Sequence, residues 1–330
     1  WSIAPEKDVP WEGRHREDIS GFSLPTWNME QNDELLTITT SSLRVIIHKP
    51  LWLEWHYKDN AGQWQELVND RPTSAYLINA HGDGVAHYQS RRNDERFYGL
   101  GDKSGDLQRT GKRYEMRNLD AMGYNAVSTD PLYKHIPFTI THRSDISFGL
   151  FYDNLSNSWL DLGNEIDNYH TTYRRWQAEA GDIDYYLFTG RCVLDITKAF
   201  VRLTGKTLFG PKWSLGYSGS TMHYTDAPDA QNQLMQFIRL CKEHAIPCDS
   251  FQLSSGYTSI NGKRYVFNWN YDKIPHPKMM SQEFHNAGIH LAANIKPCLL
   301  QDHPRYNEVA EQELFIRDSE YNVPERSSFW

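Results

Sequence analysis

Along the chain the spacing of apolar and polar positions changes once. From about residue 34 to 190 apolar residues recur with period two, in short runs broken by Gly, Asn and Asp, as antiparallel strands require. In "LWLEWHYKDNAGQWQEL" Leu53, Trp55 and Tyr57 alternate with Glu54, His56 and Lys58, and Asp59 to Gly62 turn the chain, which predicts a hairpin. "PFTITHRSDISFGLFYDN" repeats the device: Phe138, Ile140 and His142 lead into Arg143-Ser144-Asp145, and Ile146, Phe148 and Leu150 return. "GDIDYYLFTG" adds another strand. Many short strands separated by turn signals predict a β-sandwich.

Near residue 193 the period becomes helical. In "VLDITKAFVRLTG" Ile196, Ala199, Phe200 and Leu203 share one face, and Gly205 stands where a C-terminal cap belongs. After "FGPKW" strands and helices alternate: "WSLGYSG", "APDAQNQLMQFIRLCKEHA", "CDSFQLSS", "HPKMMSQEFHNAG" and "IHLAANIKP". Thr225 or Asp226 is the expected N-cap of the first of these helices, with Pro228 in its first turn and Leu234, Phe237, Ile238 and Cys241 along one side. Gly288 is expected to end the second helix. Such alternation predicts a parallel sheet with right-handed crossovers.

The division expected is a sandwich over residues 1–204 and the first β/α units of a barrel over 205–330. A full eight-fold barrel needs about 250 residues. The second part is therefore either an open α/β unit or the front portion of a longer protein, and the apolar pair Phe329-Trp330 favours the latter.

Composition narrows the partners. Net charge is −8 with no basic run, which argues against a nucleic-acid partner, and no apolar run is long enough to cross a bilayer. Aromatic residues make up 13%, which suits both a protein that stacks sugar rings and a large β-rich core. Cys192, Cys241, Cys248 and Cys298 form no C-x-x-C pair and read mostly as buried free thiols. The chain begins with Trp1 rather than Met and shows no charged-then-apolar leader, as either a cleaved signal peptide or a trimmed sequence would leave it, and a secreted or periplasmic location is expected ahead of a cytoplasmic one.

In a parallel α/β domain ligands meet the C-terminal ends of the strands. Three stretches are expected there: Ser218 to Tyr224, Ser254 to Tyr257, and Lys296 to Leu299. The hydroxyls of Ser254 and Ser255 can donate to and accept from ligand hydroxyls, and Gly256 permits close backbone approach, although a plain serine-capped turn has the same sequence. "GLGDKSG" is not a dinucleotide fingerprint, "GYSGS" misses the nucleophile elbow by register, and the histidines lack zinc spacing.

The strings "RFYGLGDKSGDLQRTGKRYEMRNLDAMGYNAVSTDPLYKHIPFTI", "GPKWSLGY", "IPCDSFQLSSGY", "YVFNWNYDKIPHP" and "IKP" resemble, in order and spacing, glycoside hydrolase family 31. The resemblance implies an N-terminal β-sandwich on a (β/α)8 barrel, and retaining hydrolysis or transfer of α-linked sugars. Two carboxyls about 5–5.5 Å apart do that chemistry, with no metal or nucleotide cofactor. The family's nucleophile and acid/base strings do not occur in this chain, so no catalytic residue is assigned; both are expected beyond residue 330. Asp249 begins a strand and reads as structural, and Asp272 and Asp302 have no motif support. Carried over by motif, Asp120 of "NLD" reaches the sugar from the sandwich, Met222 follows the first barrel strand, and Lys296 marks the end of the third. Members acting on glucosides commonly read D-I-D-Y at the second strand end, where this chain has Ser254-Ser255-Gly256-Tyr257. That difference points to a pocket for an α-galactoside, an N-acetylgalactosaminide or an unusual α-glucoside. A transglycosylase, or a non-catalytic carbohydrate-binding protein on the same scaffold, is the alternative.

Overall fold

Alternation in the first part produces three antiparallel sheets. The computed structural model describes residues 25–78, 84–318, 321–324 and 326; the expectations resting on Trp1 and on Phe329-Trp330 lie outside them. Strands β1 (Trp27–Gln31), β2 (Leu35–Thr40), β3 (Leu43–His48), β4 (Trp52–Lys58) and β5 (Trp64–Asn69) form a five-stranded meander. The predicted β4–β5 hairpin is present, with a register shift between Trp55 and His56.

Two further sheets follow. Strands β6 (Tyr76–Ile78), β7 (Val85–Ser90), β8 (Arg96–Gly101), β9 (Arg113–Met116), β10 (His135–His142), β11 (Ser147–Tyr152), β12 (Ser158–Asp161), β13 (Tyr173–Ala178) and β14 (Tyr185–Gly190) segregate into orders β14-β11-β10-β8 and β6-β7-β13-β12-β9. Phe97, Phe148 and Leu150 from the first of these, with Leu160, Trp176 and Ala178 from the second, make the core between them. The β10–β11 hairpin pairs His142 with Ser147, as its sequence predicts. Helix α1 (Val193–Thr204) buries Ile196 and Leu203, and Gly205 ends it at φ 94°, its N–H bonded to Val201 O.

Within this β-rich unit lies a polar knot. Asp70 and His87 are both fully buried, with Asp70 Oδ1 2.8 Å from His87 Nε2. The other Asp70 oxygen accepts from Tyr76 Oη at 2.6 Å and from Leu53 N at 3.0 Å, while His87 Nδ1 meets Tyr152 Oη at 2.9 Å. Buried polar groups persist only when partnered, because each loses water's hydrogen bonds.

The second compact unit begins at Thr207, the first ending at Lys206. Strands β15 (Ser218–Thr221), β16 (Ser250–Leu253) and β19 (His290–Ala293) run parallel in that order, with a hairpin of β17 (Ser259–Ile260) and β18 (Lys263–Arg264) between the last two in sequence. Helices α2 (Met222–Asp226), α3 (Ala230–Glu243), α4 (Pro277–Asn286) and α5 (Tyr306–Glu311) complete it. Phe251 and Leu253 face Leu234 of α3 and Met280 and Phe284 of α4, all five with at most 1% exposure. Burying each such side chain contributes about 1.5–3 kcal/mol, which is what fastens the helices to the sheet.

Three expectations need correction. "WSLGYSG" was read as the first strand, but Lys212–Leu215 is a short 3-10 turn and the strand is Ser218–Thr221, so Ser218 lies in the strand and not after it. Neither Thr225 nor Asp226 caps the long helix: they end α2, which Thr221 caps through a bond from His223 N, and α3 starts at Ala230 beyond Pro228. The four cysteines are free, but Cys192 and Cys298 are exposed and the other two half-buried.

Asp70→Ala would leave His87, Tyr76 Oη and Leu53 N–H buried without their acceptor. It is expected to cost about 3 kcal/mol or more, read as a lowered denaturation midpoint followed by tryptophan fluorescence.

Candidate functional site

The C-terminal ends of β15, β16 and β19 share one end of the parallel sheet. Beyond β16 the chain stays extended for one residue, Ser254 at φ −69° and ψ 156°, then coils into a 3-10 turn, Ser255–Thr258. Side chains alternate along extended backbone. Phe251 and Leu253 face the helices, so Ser254 falls on the opposite face with Gln252, and Ser255 turns inward. Burial follows this parity: Ser255 is 9% exposed and Ser254 half-buried. Of the two serines expected from sequence, Ser254 is half-buried at the strand end and Ser255 is buried, its carbonyl accepting from Thr258 Oγ1 at 2.9 Å.

Gly256 has a reason other than ligand approach. A Cβ there would lie 2.2 Å from Asp226 Oδ1 and 2.6 Å from the Thr225 carbonyl carbon. The end of α2 therefore rests directly on this turn, and only glycine fits beneath it. Lys273 Nζ ties the two segments, donating to Asp226 O at 3.1 Å and Gly256 O at 3.5 Å.

Tyr257 is buried and links the second strand end to the third. Its hydroxyl donates to Asn294 O at 3.1 Å, and Asn294 N returns a bond to Leu253 O at 3.0 Å. Burial pushes the Tyr257 hydroxyl above its ordinary pKa, so it remains a donor at neutral pH.

Met222 follows β15 directly and opens α2, the residue being 44% exposed. Lys296 lies beyond the end of β19, half-buried. Asp120 belongs to the first unit, on the long connection between β9 and β10, and its Oδ1 accepts from Tyr133 Oη at 2.8 Å. That bond raises the Tyr133 hydroxyl above the usual tyrosine value.

The remaining carboxylates have other employment. Asp249 precedes β16, at the end of the strand remote from Ser254, and its carboxylate lies against Gly216. Asp302 accepts from Lys263 Nζ at 2.5 Å and Tyr265 Oη at 3.1 Å, and the lysine beside it holds its carboxyl below the usual range. Asp272 sits in the turn held by Asn270, whose Oδ1 accepts from its N–H at 2.9 Å. Among the described residues no group of three His, Cys, Asp or Glu is placed to hold a metal ion, and no helix is long and apolar enough to cross a membrane.

Sequence reasoning missed Asp226. No local motif marks it, and only the pairing of β15 with β16 brings its carboxylate over Gly256. The parity that separates Ser254 from Ser255, by contrast, was available in the sequence.

Gly256→Ala is expected to lower stability by about 1–3 kcal/mol, since the added methyl meets backbone as well as a carboxylate. Thermal unfolding of the variant checks this, and Asp226→Ala should not rescue it, because the Thr225 backbone remains in the way.

Comparison with known proteins agrees with this architecture. Residues 1–161 match the glycosyl hydrolase 31 N-terminal galactose mutarotase-like domain, and residues 207–330 the glycosyl hydrolases family 31 TIM-barrel domain. An α-glucosidase 2 of Bacillus thermoamyloliquefaciens is 28% identical over 90% of this chain and 36% of its own length. An α-xylosidase of Lactiplantibacillus pentosus is 24% identical over 87% of this chain and 36% of its own. The Flavobacterium johnsoniae family 31 dextranase complexed with glucose superposes with a TM-score of 0.76 at 26% identity, covering 90% of this chain and 34% of the dextranase. The chain thus spans about a third of the length of these relatives. With its two parts matched in order by the two domains of one family, and its β-sandwich followed by the first strands of a TIM barrel, the chain belongs to glycoside hydrolase family 31.

Proposed function

We propose that this chain supplies the sandwich and part of the sugar-holding barrel mouth of a retaining α-glycosidase. Its preferred sugar is one other than plain glucose: an α-galactoside, an N-acetyl-α-galactosaminide or an unusual α-glucoside. Family membership carries the reaction class, and the relatives named α-glucosidase, α-xylosidase and dextranase differ in the sugar they are named for. The observation that carries the sugar preference is Ser254, a neutral side chain on the open face of the second strand end, where D-I-D-Y sequences carry Asp. A charge-assisted hydrogen bond is roughly twice as strong as a neutral one, so its loss removes a specific grip on the sugar's hydroxyls and leaves room for a differently placed substituent.

In the retaining scheme one carboxylate attacks the anomeric carbon while a second, protonated, carboxyl gives its proton to the leaving oxygen. Water, activated by the second group, then releases the sugar with its α configuration kept. Neither carboxyl is assigned within this chain, since the family strings that carry them do not occur in it. What the second unit contributes in this reading is binding, by Met222, Ser254 and Lys296 at the barrel strand ends, with buried Ser255 shaping the turn.

A panel of aryl α-glycosides presented to the protein as encoded tests this. A non-gluco sugar should show a kcat/KM at least tenfold above that of the plain α-glucoside, and NMR should detect the α-anomer first. Ser254→Asp is expected to shift the ratio toward the glucoside by about tenfold, the equivalent of one charge-assisted hydrogen bond. Preference for plain glucose by the unaltered protein would sink the sugar assignment. Sugar binding without turnover of any glycoside would make it a binding protein.

A further inference from the structure

The carboxylate missing from the second strand end has a counterpart close by, contributed by a different strand. D-I-D-Y carries acids at the positions of both Ser254 and Gly256, and this chain has neither. Yet the space a side chain at 256 would occupy is filled by the carboxylate of Asp226, whose Oδ1 lies 2.2 Å from where that Cβ would be. Asp226 is the last residue of α2, in the segment that follows β15, so its acid arrives at the same end of the sheet from the neighbouring strand.

Its surroundings leave it available. The side chain is 42% exposed, and Oδ1 meets Arg264 Nη1 at 3.5 Å. Among the described residues Oδ2 accepts no hydrogen bond. An ion pair this long and this open to water adds little to stability, so the pair by itself does not account for the acid's position. Two features fix the backbone that carries it instead. Glycine at 256 makes room for it, and Lys273 clamps the backbone on both sides through Asp226 O and Gly256 O. A carboxylate held in place by its backbone, with an unused oxygen, suits acceptance of two hydroxyl protons from a polyol ring.

We propose that Asp226 is a specificity-determining residue that contacts the sugar, the hydroxyl-accepting charge having moved from the second barrel strand end to the segment after the first. The inference rests on the α-glycosidase reading and deepens it: an acceptor displaced along the mouth reads hydroxyls of a different orientation, as a changed epimer preference requires. Lys273 is a positioning residue in this scheme, acting only through the segments it clamps.

The test compares the unaltered protein, Asp226→Asn and Asp226→Glu, all as encoded, on the preferred aryl α-glycoside and on its singly deoxygenated analogues. Asp226→Asn is nearly isosteric and should keep the thermal midpoint. It should lower kcat/KM about tenfold on the parent glycoside, with less than a twofold effect on the one analogue that lacks the hydroxyl read by Asp226. Asp226→Glu should keep turnover but change the order of preference among epimers. If the unaltered protein is active and Asp226→Asn leaves kcat/KM unchanged, or lowers it equally on every analogue, this inference is overturned and the glycosidase reading stands. If the unaltered protein turns over and binds no α-glycoside, both fall together.

Discussion

The second unit depends on one steric fact: two backbone segments approach so closely at Gly256 that no side chain fits between them. The turn after β16 and the end of α2 are thereby locked face to face, with Lys273 bridging their carbonyls. Tyr257 continues the chain of contacts, its ring against Trp269 at 4.8 Å and its hydroxyl on Asn294 O. First, second and third strand ends are therefore joined through named hydrogen bonds before any ligand enters. A mouth assembled in this way presents Ser254 on a rigid frame, which is what selective sugar binding demands of its supporting residues.

The elements legible in the sequence are those decided locally. The β4–β5 and β10–β11 hairpins form where alternation and turn residues place them, since the turns at Asp59–Gly62 and Arg143–Asp145 carry their own chemistry. The first parallel strand was misplaced because its position is decided elsewhere: Ser218 pairs with Ser250 and Thr221 with Leu253, partners a local pattern cannot reveal. The start of α3 failed for a related reason. Pro228 forces the residue before it out of helical geometry, and Ala227 is indeed extended at ψ 145°, so the acceptors at 225 and 226 end one helix and do not begin the next.

The candidate site divides along the same line. Ser254 and Ser255 were read as a pair, and the period of the strand separates them: the same alternation that sends Leu253 into the helix layer turns Ser254 away from it. Asp226 over Gly256 was invisible because the contact is made by a parallel pairing and a crossover helix, not by neighbours in sequence. Residue-level reasoning alone reached a parallel α/β unit with polar strand ends. The reaction class came from family strings, since hydroxyls, a turn glycine and an exposed methionine are common to many ligands.

Where charge sits at the mouth decides what can be recognised there. A serine both donates and accepts, so it tolerates a sugar hydroxyl in either sense, whereas a carboxylate only accepts and fixes the orientation of the group that donates to it. Epimers differ in the direction of one hydroxyl, and discriminating them needs an acceptor whose position is fixed more firmly than a surface side chain's. Ser254 sits on the same frame, but its side chain makes no capping bond in the turn, so its hydroxyl is free to face either kind of partner. Asp226 is carried on firmer backbone, which steric exclusion at Gly256 and the Lys273 clamp hold from two sides. On the proposed reading, selectivity rests on the carboxylate of Asp226 together with Ser254, and the absence of a side chain at 256 is the condition for the acid being there.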